Sequence, residues 1–297
     1  MHILLTGGTG LIGSALIKRW QGQHRLTVLT RSRDTARRRF GAAITAVASL
    51  AEVDFNHIDA VINLAGEPIV SKRWSERQKQ VLCNSRWLLT QALVDAIASA
   101  ATPPAVLISG SAVGIYGAQQ DQLITEENQN YTEDFPHLLC QRWEDIALKA
   151  KTEQTRVCLL RTGIVLATEG GALKKMLLPF RLGLGGKTGT GQQYMPWVHL
   201  QDMLQIIEFL LAQPSLQGPF NVVAPTPVTN AEFSSTLADT LHKPALLPIP
   251  ALVLHALLGE MAILLLSGQR VIPDNLHKAG YNFSFTELKP ALKALLQ

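Results

Sequence analysis

A short apolar run that passes directly into a glycine-rich turn most narrows the folds open to this chain. Residues 2–5 (HILL) are followed at once by residues 6–13 (TGGTGLIG), and apolar residues then recur at helical spacing as far as Trp20. This order is typical of a strand, a glycine turn and a helix. Glycine permits a turn that side chains forbid and a close approach of backbone to a pyrophosphate, and Gly13 lets the helix pack on the strand. The helix amino terminus then offers unpaired N–H groups to phosphates, so the pattern predicts a dinucleotide-binding turn; the alternative is a plain connection.

The end of the second predicted strand indicates which dinucleotide is bound. Residues 26–29 (LTVL) form this strand, and Arg31 and Arg33 follow before the next acidic residue, Asp34. In a dinucleotide fold an acidic residue at this point accepts a hydrogen bond from the ribose 2′-hydroxyl, whereas an arginine favours a 2′-phosphate. Arg31 therefore predicts NADP rather than NAD as the cofactor. The alternative is an ordinary surface arginine.

Composition and charge exclude several classes of protein. Of the 297 residues, 47% are hydrophobic and 17% are charged, which is typical of a compact globular protein, and the net charge of +4 is mild. The clustered arginines have no interleaved aromatic residues, so we expect no nucleic-acid partner. The three cysteines are far apart without metal-ligand spacing, which predicts no metal site and a reducing, cytoplasmic location. Residues 251–267, the most apolar stretch, are too short and interrupted to span a bilayer, and the early first strand leaves no room for a signal peptide.

Two further predicted strands end in residues that suit a ligand cleft. Residues 59–66 (DAVINLAG) end in small side chains, which let a cofactor lie across the edge of a sheet. Residues 105–109 (AVLIS) run into Ser111, whose hydroxyl would polarise a carbonyl or hydroxyl of a substrate. Between these strands lies a polar loop, in which we expect substrate contacts, with a hint of an anionic substrate; the alternative is a solvated loop. The expected substrate contacts are Glu67, Lys72, Arg73 and Trp74.

Together these stretches resemble the short-chain dehydrogenase/reductase superfamily in its extended, epimerase-like branch. The similarity is carried by residues 6–13, 63–66 (NLAG), 109–117 (SGSAVGIYG), 161–166 (RTGIVL) and 196–202 (PWVHLQD). Shorter motifs resemble an uncharacterised subgroup called epimerase family proteins, which carries a short carboxyl-terminal domain of unknown function. These motifs are EP at 67–68, KRW at 72–74, LPF at 178–180, GLGG at 183–186 and QRVIP at 269–273.

The resemblance implies an α/β fold with a doubly wound parallel sheet of the Rossmann type. With the motifs above, it implies a set of cofactor contacts in the first half of the chain. They are Thr6, Gly7, Gly10, Leu11, Ile12, Gly13, Arg31, Asn63, Leu64, Ala65, Gly66 and Arg161.

The superfamily's chemistry normally rests on a serine, which maps to Ser111, and on a tyrosine followed four residues later by a lysine. None of the four tyrosines is followed by that lysine, because positions 120, 135, 198 and 285 hold Gln, Phe, Val and Phe. In the helix expected to carry the pair, Cys140 falls in the tyrosine slot and Glu144 in the lysine slot, on one helix face. A thiol can exchange a proton near neutrality, but a neighbouring carboxylate raises its pKa. The alternative is that Cys140 is a small buried hydrophobe and Glu144 a surface residue.

The second half of the chain is expected to complete the sheet and to add a smaller lobe. We assign residues 1–166 to a dinucleotide-binding domain. The sheet of this domain is also expected to receive residues from about 196–224, and residues 196–202 are expected to return the chain to the sheet. Residues 167–195 and 225–297 then form an interwoven substrate lobe that ends in a helical segment.

Local signals place three further features in this half. His199 is expected to be a structural hydrogen-bonding residue rather than a base, and Asp202 is expected to cap the helix that follows. Residues 229–232 (TNAE) have the pattern of a capping box. Partial exposure of residues 251–266 would support self-association, so a monomer and a homodimer both stay open.

Two functions remain open from the sequence. One is an NADP-dependent oxidoreductase or epimerase-like enzyme that acts on a small molecule, with Ser111 polarising the substrate. The other is a cofactor-binding protein that has lost turnover and serves as a sensor or scaffold. The missing tyrosine–lysine pair favours the second function, and the intact Ser111 favours the first.

Overall fold

The computed structural model describes residues 1–245 and 247–297. Its strands are β1 (His2–Thr6), β2 (Arg25–Leu29), β3 (Thr45–Val47), β4 (Ala60–Asn63), β5 (Val106–Ala112), β6 (Leu123–Ile124), β7 (Arg156–Thr162), β8 (Ile164–Leu166), β9 (Trp197–His199), β10 (Gly218–Val222) and β11 (Arg270–Val271). Its α-helices are α1 (Leu11–Trp20), α2 (Arg33–Phe40), α3 (Glu76–Ala98), α4 (Phe135–Leu148), α5 (Gly171–Arg181), α6 (Leu200–Ala212), α7 (Asn230–Thr240), α8 (Ala251–Leu258), α9 (Ile263–Leu266), α10 (Asp274–Lys278) and α11 (Leu288–Leu296).

Seven strands form one parallel sheet in the order β10-β7-β5-β4-β1-β2-β3. The chain winds outward from β1 in one direction through β2 and β3, and in the other through β4, β5, β7 and β10. This is the predicted doubly wound arrangement. The order of strands reverses between β1 and β4, and ligands of such sheets bind outside the carboxyl ends of the strands at that switch point.

Both faces of the sheet are covered by helices, because successive strand residues point to opposite faces and most of the buried ones are apolar. In β1, Ile3 and Leu5 pack with α1 and α6 on one face, while Leu4 packs with α3 and α4 on the other. A parallel sheet buried on both sides is expected to have such uninterrupted apolar strands. The result is a sheet buried on both faces, in which Thr6, Asn63 and Ser111 lie at or next to the carboxyl ends of their strands.

A second core lies outside the sheet, among helices α5, α7 and α11. Its largest buried side chains include Phe233 and Trp197. Thr229 opens α7 with a capping box to Glu232, which confirms the prediction for residues 229–232. Two small parallel strand pairs, β8–β9 and β6–β11, form separate two-stranded sheets.

Two expectations for this half are corrected by the structure. Residues 196–202 do not return to the seven-stranded sheet, because β9 pairs with β8; the strand that joins the sheet is β10. Asp202 does not cap α6. His199 caps it by accepting from the Gln201 amide at 3.0 Å, which confirms a structural role for His199. Buried Asp202 instead accepts from the Ser284 and Phe285 amides and so anchors the carboxyl-terminal segment.

Within residues 1–245 and 247–297, no helix combines the length and the apolar character that crossing a bilayer requires.

Candidate dinucleotide site and the adjoining cleft

The glycine turn after β1 has a backbone path that only glycine fits. Gly7 has φ +70°, and a Cβ placed on it would lie 2.6 Å from the Leu64 carbonyl carbon. A Cβ on Gly13 would lie 2.4 Å from the Gly7 carbonyl oxygen, so α1 packs on the turn without any intervening side chain. These contacts are with backbone atoms, which cannot move aside cheaply. The turn is therefore held tightly against the end of β4.

The amino terminus of α1 is left open toward the sheet edge. Gly10 is its N-cap and has no side chain to accept from the first-turn amides, while Ser14 turns its hydroxyl back to the Gly10 carbonyl at 2.6 Å. Thr9 and Gly10 are exposed, and Leu11 and Ile12 are half-buried. Uncapped N–H groups at a helix start carry partial positive charge and suit a phosphate. The residues present therefore fit a dinucleotide pyrophosphate.

The arginines near this turn differ in what they contact. Arg33 is paired with Glu52, and Arg39 donates to the Thr9 carbonyl at 2.9 Å. Arg31 is exposed at the carboxyl end of β2 and forms neither an ion pair nor a side-chain hydrogen bond with the described part of the chain. It is thus the arginine best placed to accept an additional anion next to the turn.

Buried hydrogen bonds fix the carboxyl end of β4 against the turn. The Thr6 hydroxyl donates to Asn63 Oδ1 at 2.7 Å and accepts from the Ala65 amide at 3.2 Å. Asn63 Nδ2 donates to the Thr90 hydroxyl of α3 at 2.9 Å. Thr6 and Asn63, both predicted cofactor contacts, are buried in this network, so they set the path of the following residues. The half-buried Leu64 and Ala65 and the exposed Gly66 remain predicted cofactor contacts.

The loop after β4 presents only part of the predicted substrate set. Lys72 and Arg73 are exposed, and Arg73 lies against Gly259 at the end of α8. Half-buried Glu67 accepts from the Ser71 hydroxyl at 3.3 Å. Trp74 is placed differently from the prediction, since it is only 8% exposed and its Nε1 donates to the Ile69 carbonyl. The Trp74 ring packs against the Phe135 ring, so this side chain anchors the loop to the core instead of facing a substrate.

Ser111 is engaged by a carboxylate in this structure. Its hydroxyl donates to Glu144 Oε1 at 2.6 Å, and the same carboxylate receives two hydrogen bonds from Arg161, from Nε at 3.0 Å and from Nη2 at 2.8 Å. All three side chains are buried. Burial acts to lower the pKa of Arg161, but the Glu144 carboxylate raises it overall, so the guanidinium keeps its charge. The surface alternative for Glu144 is wrong, because this residue forms a buried, bidentate ion pair.

The ion pair continues into a longer buried network that the sequence did not reveal. Arg161 Nη1 donates to the Tyr116 hydroxyl at 3.0 Å, and Tyr116 donates to Asn221 Oδ1 at 2.7 Å. The backbone N–H of Asn221 donates to Glu126 Oε1 at 2.7 Å. Burial raises the pKa of Tyr116 to about 12, so it is protonated. Arg161 thus has partners within the chain, and its predicted contact with the cofactor stays a prediction.

Cys140 lies one helical turn from Glu144 on α4, in a small apolar cluster with Ile115 and Tyr116. Burial raises the pKa of the Cys140 thiol to about 12, and the Glu144 carboxylate contributes in the same direction. The thiol therefore carries its proton near neutral pH and is a poor proton acceptor. This geometry favours the interpretation of Cys140 as a small buried hydrophobe.

This chain belongs to the NAD dependent epimerase/dehydratase family, whose model matches residues 3–223. A domain of unknown function (DUF1731) matches residues 249–295. Both matches confirm the resemblance seen in the sequence motifs, including the short carboxyl-terminal domain.

Curated relatives of similar length extend over the whole chain. The epimerase family protein SDR39U1 of Mus musculus is 38% identical over 297 residues, with 99% of each chain covered. The chloroplastic SDR39U1 homolog of Arabidopsis thaliana is 38% identical over 305 residues, covering 100% of this chain and 87% of the relative.

Solved structures show the same fold. The crystal structure of human epimerase family protein SDR39U1 (isoform 2) with NADPH has a TM-score of 0.92, 37% identity and 99% coverage of both chains. UDP-glucuronic acid 4-epimerase of Bacillus cereus, in complex with NAD, has a TM-score of 0.75 at 16% identity, covering 99% of this chain and 95% of that one. The second likeness concerns the fold alone.

Proposed function

We propose that this chain binds NADP(H) along the carboxyl ends of β1, β2 and β4 and acts on a small molecule as an epimerase-like protein or oxidoreductase. The observation that carries the proposal is the open glycine turn at residues 6–13, in a chain 37% identical to a human protein solved with NADPH. The prediction of NADP as cofactor agrees with that structure. When bound, the cofactor supplies hydride transfer.

Three parts of the site would hold the cofactor. The first-turn amides of α1 would receive the pyrophosphate, and Arg31 would pair with the 2′-phosphate through its planar guanidinium. The small residues Ala65 and Gly66 would let the cofactor continue across the end of β4 toward β5. A substrate would then lie near Glu67, Lys72 and Arg73. We propose a cytoplasmic location, which suits three free, buried cysteines.

A second candidate function is a cofactor-binding protein without turnover. It is favoured by the contacts of Ser111, because a hydroxyl has one proton and that of Ser111 is donated to Glu144. Ser111 therefore has no proton left for a substrate carbonyl, and the Cys140 thiol is protonated near neutrality. If the chain is an enzyme, a group other than Ser111 and Cys140 has to transfer the proton to or from the substrate.

Two measurements on the purified chain test these proposals. Calorimetric titration with NADPH is expected to show saturable binding of one molecule per chain; a flat titration would end both candidates. NADPH oxidation is then followed with a panel of aldehydes and ketones, and NADP⁺ reduction with the matching alcohols. Turnover with any member supports the enzyme, whereas tight binding without turnover across the panel supports the sensor or scaffold.

A further inference from the structure

One guanidinium in the cleft region is half-buried and has no ion-pair partner within the described part of the chain. Arg86 projects from α3 toward the loop after β4, and it forms no ion pair within residues 1–245 and 247–297. Arg161 lies buried beside the end of β5, and its Nη2 is 2.8 Å from the Oε2 atom of the Glu144 carboxylate. The two arginines are therefore electrically different, because only one of them is neutralised by the chain.

Arg86 is held in place by neutral acceptors and by an aromatic ring. Its Nη1 donates to the Leu82 carbonyl at 3.0 Å, and its Nη2 donates to the Glu67 carbonyl at 3.0 Å. The guanidinium also lies over the Trp143 ring, 5.3 Å from the centroid. These contacts orient the group but do not cancel its charge. Burial lowers the pKa of Arg86, and the nearby Glu67 carboxylate, which is not in ion-pair contact, acts in the opposite direction.

The guanidinium lies at the sheet edge where a substrate would meet the cofactor. A Cβ built on Gly66 would be 2.9 Å from Arg86 Cζ and 3.2 Å from Nε, so the guanidinium lies directly against the exposed Gly66 backbone. A guanidinium has five N–H donors. The described chain accepts from Nη1 and from one N–H of Nη2, which leaves Nε–H and a second N–H of the neighbouring Nη2 without an acceptor.

We propose that Arg86 is the anion-binding residue of the substrate cleft and that the substrate carries a carboxylate or phosphate group. A planar fork with two unused, adjacent donors matches such an oxyanion, which would also supply the missing counter-charge. The exposed Lys72 and Arg73 on the neighbouring loop add positive charge around it. This inference rests on the proposed function, since it places the anion beside the bound cofactor.

The test is calorimetric titration of the NADPH-loaded chain with malonate, with inorganic phosphate and with neutral malonamide, at low and constant chloride. Malonate represents a carboxylate substrate, and phosphate represents a phosphorylated one. We expect at least one anion to bind the unmodified chain saturably and malonamide not to bind. Arg86→Gln should raise the Kd for that anion at least about tenfold, because one charged hydrogen-bonding partner is lost.

Two further variants make the comparison decisive. Arg142→Gln is the matched control, because Arg142 also lies over a tryptophan, Trp87 at 4.5 Å, but on the exposed outer side of α4. It should bind the anion as the unmodified chain does. Arg86→Lys keeps the charge and loses the fork, so it should fold normally and bind the anion several-fold more weakly even if Arg86→Gln does not fold.

The outcomes separate this inference from the proposed function. If the unmodified chain binds no NADPH, the proposed function fails first. If NADPH binds but neither anion does, or if both Arg86 variants bind the anions unchanged, the inference alone is overturned. A weakening of NADPH itself in Arg86→Gln, without any anion site on the loaded chain, would also overturn it, because Arg86 would then be a cofactor contact.

Discussion

The two ends of the cleft differ in how their polar groups are satisfied. Around β1 and β2, the first-turn amides of α1 have no side-chain cap, and Arg31 has no partner within the described chain. Around β5 and β7, the hydroxyl of Ser111 and the guanidinium of Arg161 are both engaged by Glu144. The first region is open to a ligand, whereas the second is already complete without one.

This difference shows that the residues available for binding the cofactor and the residues expected to catalyse a reaction lie in separate parts of the cleft. Donors left unpaired at a surface are available to an anion at little cost in desolvation. A buried ion pair gives up its partners only at a high cost, because each charge is then left without compensation in a poorly polarisable interior. We therefore expect changes near β1 to alter ligand affinity, and changes near β7 to alter the stability of the fold.

The largest effect on binding is expected from Gly13→Ala. The new Cβ would lie 2.4 Å from the Gly7 carbonyl oxygen and would push α1 away from the turn. Loss of two charge-assisted hydrogen bonds, at about 1.5 kcal/mol each, corresponds to a roughly hundredfold rise in the Kd for NADPH. Calorimetric titration measures it. Gly22→Ala is the control: Gly22 has φ +78° and open space around it, so this change strains the backbone without a steric clash and leaves the Kd unchanged. Equal affinities in both variants would show that the turn does not hold the phosphates.

The second largest effect is expected from Glu144→Gln, and it concerns stability. This change leaves the buried Arg161 guanidinium without its carboxylate, which should lower the free energy of unfolding by about 3–5 kcal/mol. Urea denaturation measures the loss. Glu127→Gln removes the exposed partner of Lys278 and should change the midpoint hardly at all. If the two variants unfold at the same urea concentration, the buried network does not stabilise the fold as described.

The smallest effect is expected at Cys140. Because the pKa of its thiol is raised to about 12, the thiolate fraction at pH 8 is very small and increases about tenfold for each further pH unit. Alkylation of the native chain by iodoacetamide, followed by peptide mass spectrometry, should label Cys140 far more slowly than in urea. Cys83, which lines a surface cavity, is the internal comparison and should be labelled first. Cys140→Ala should leave the Kd for NADPH unchanged. Rapid labelling at pH 8 that levels off below pH 9 would restore Cys140 as a candidate acid–base group.

The open region could be predicted from the sequence because its determinants are local. The strand, the turn and the helix follow one another within residues 2–20, and Arg31 comes directly after the next strand. The parallel, doubly wound sheet follows from apolar runs such as residues 59–66 that end in small residues.

The closed region could not be predicted, because its partners are far apart in the chain. Glu144 meets Arg161 across 17 residues, and Tyr116 meets Asn221 across 105 residues. A glutamate on an amphipathic helix looks like a surface residue until the arginine facing it is known. Trp74 illustrates the same limit, since its burial depends on Phe135 from another helix. Arg86 lies in no sequence motif that would mark it as a binding residue. It is recognised only in the structure, as a half-buried charge without an ion-pair partner among the described residues.

The most direct test of the central claim is the affinity for NADPH relative to NADH, measured by calorimetry on the unmodified chain and on Arg31→Ala. The account predicts tighter binding of NADPH to the unmodified chain. Arg31→Ala should raise the Kd for NADPH by about 10- to 100-fold, because one charge-assisted pair is lost. It should leave the Kd for NADH unchanged. Arg33→Ala, which removes an arginine already paired with Glu52, should have little effect on either. Equal affinity for the two nucleotides, or an NADPH affinity that does not respond to Arg31→Ala, would contradict the assignment of this edge as an NADP(H) site.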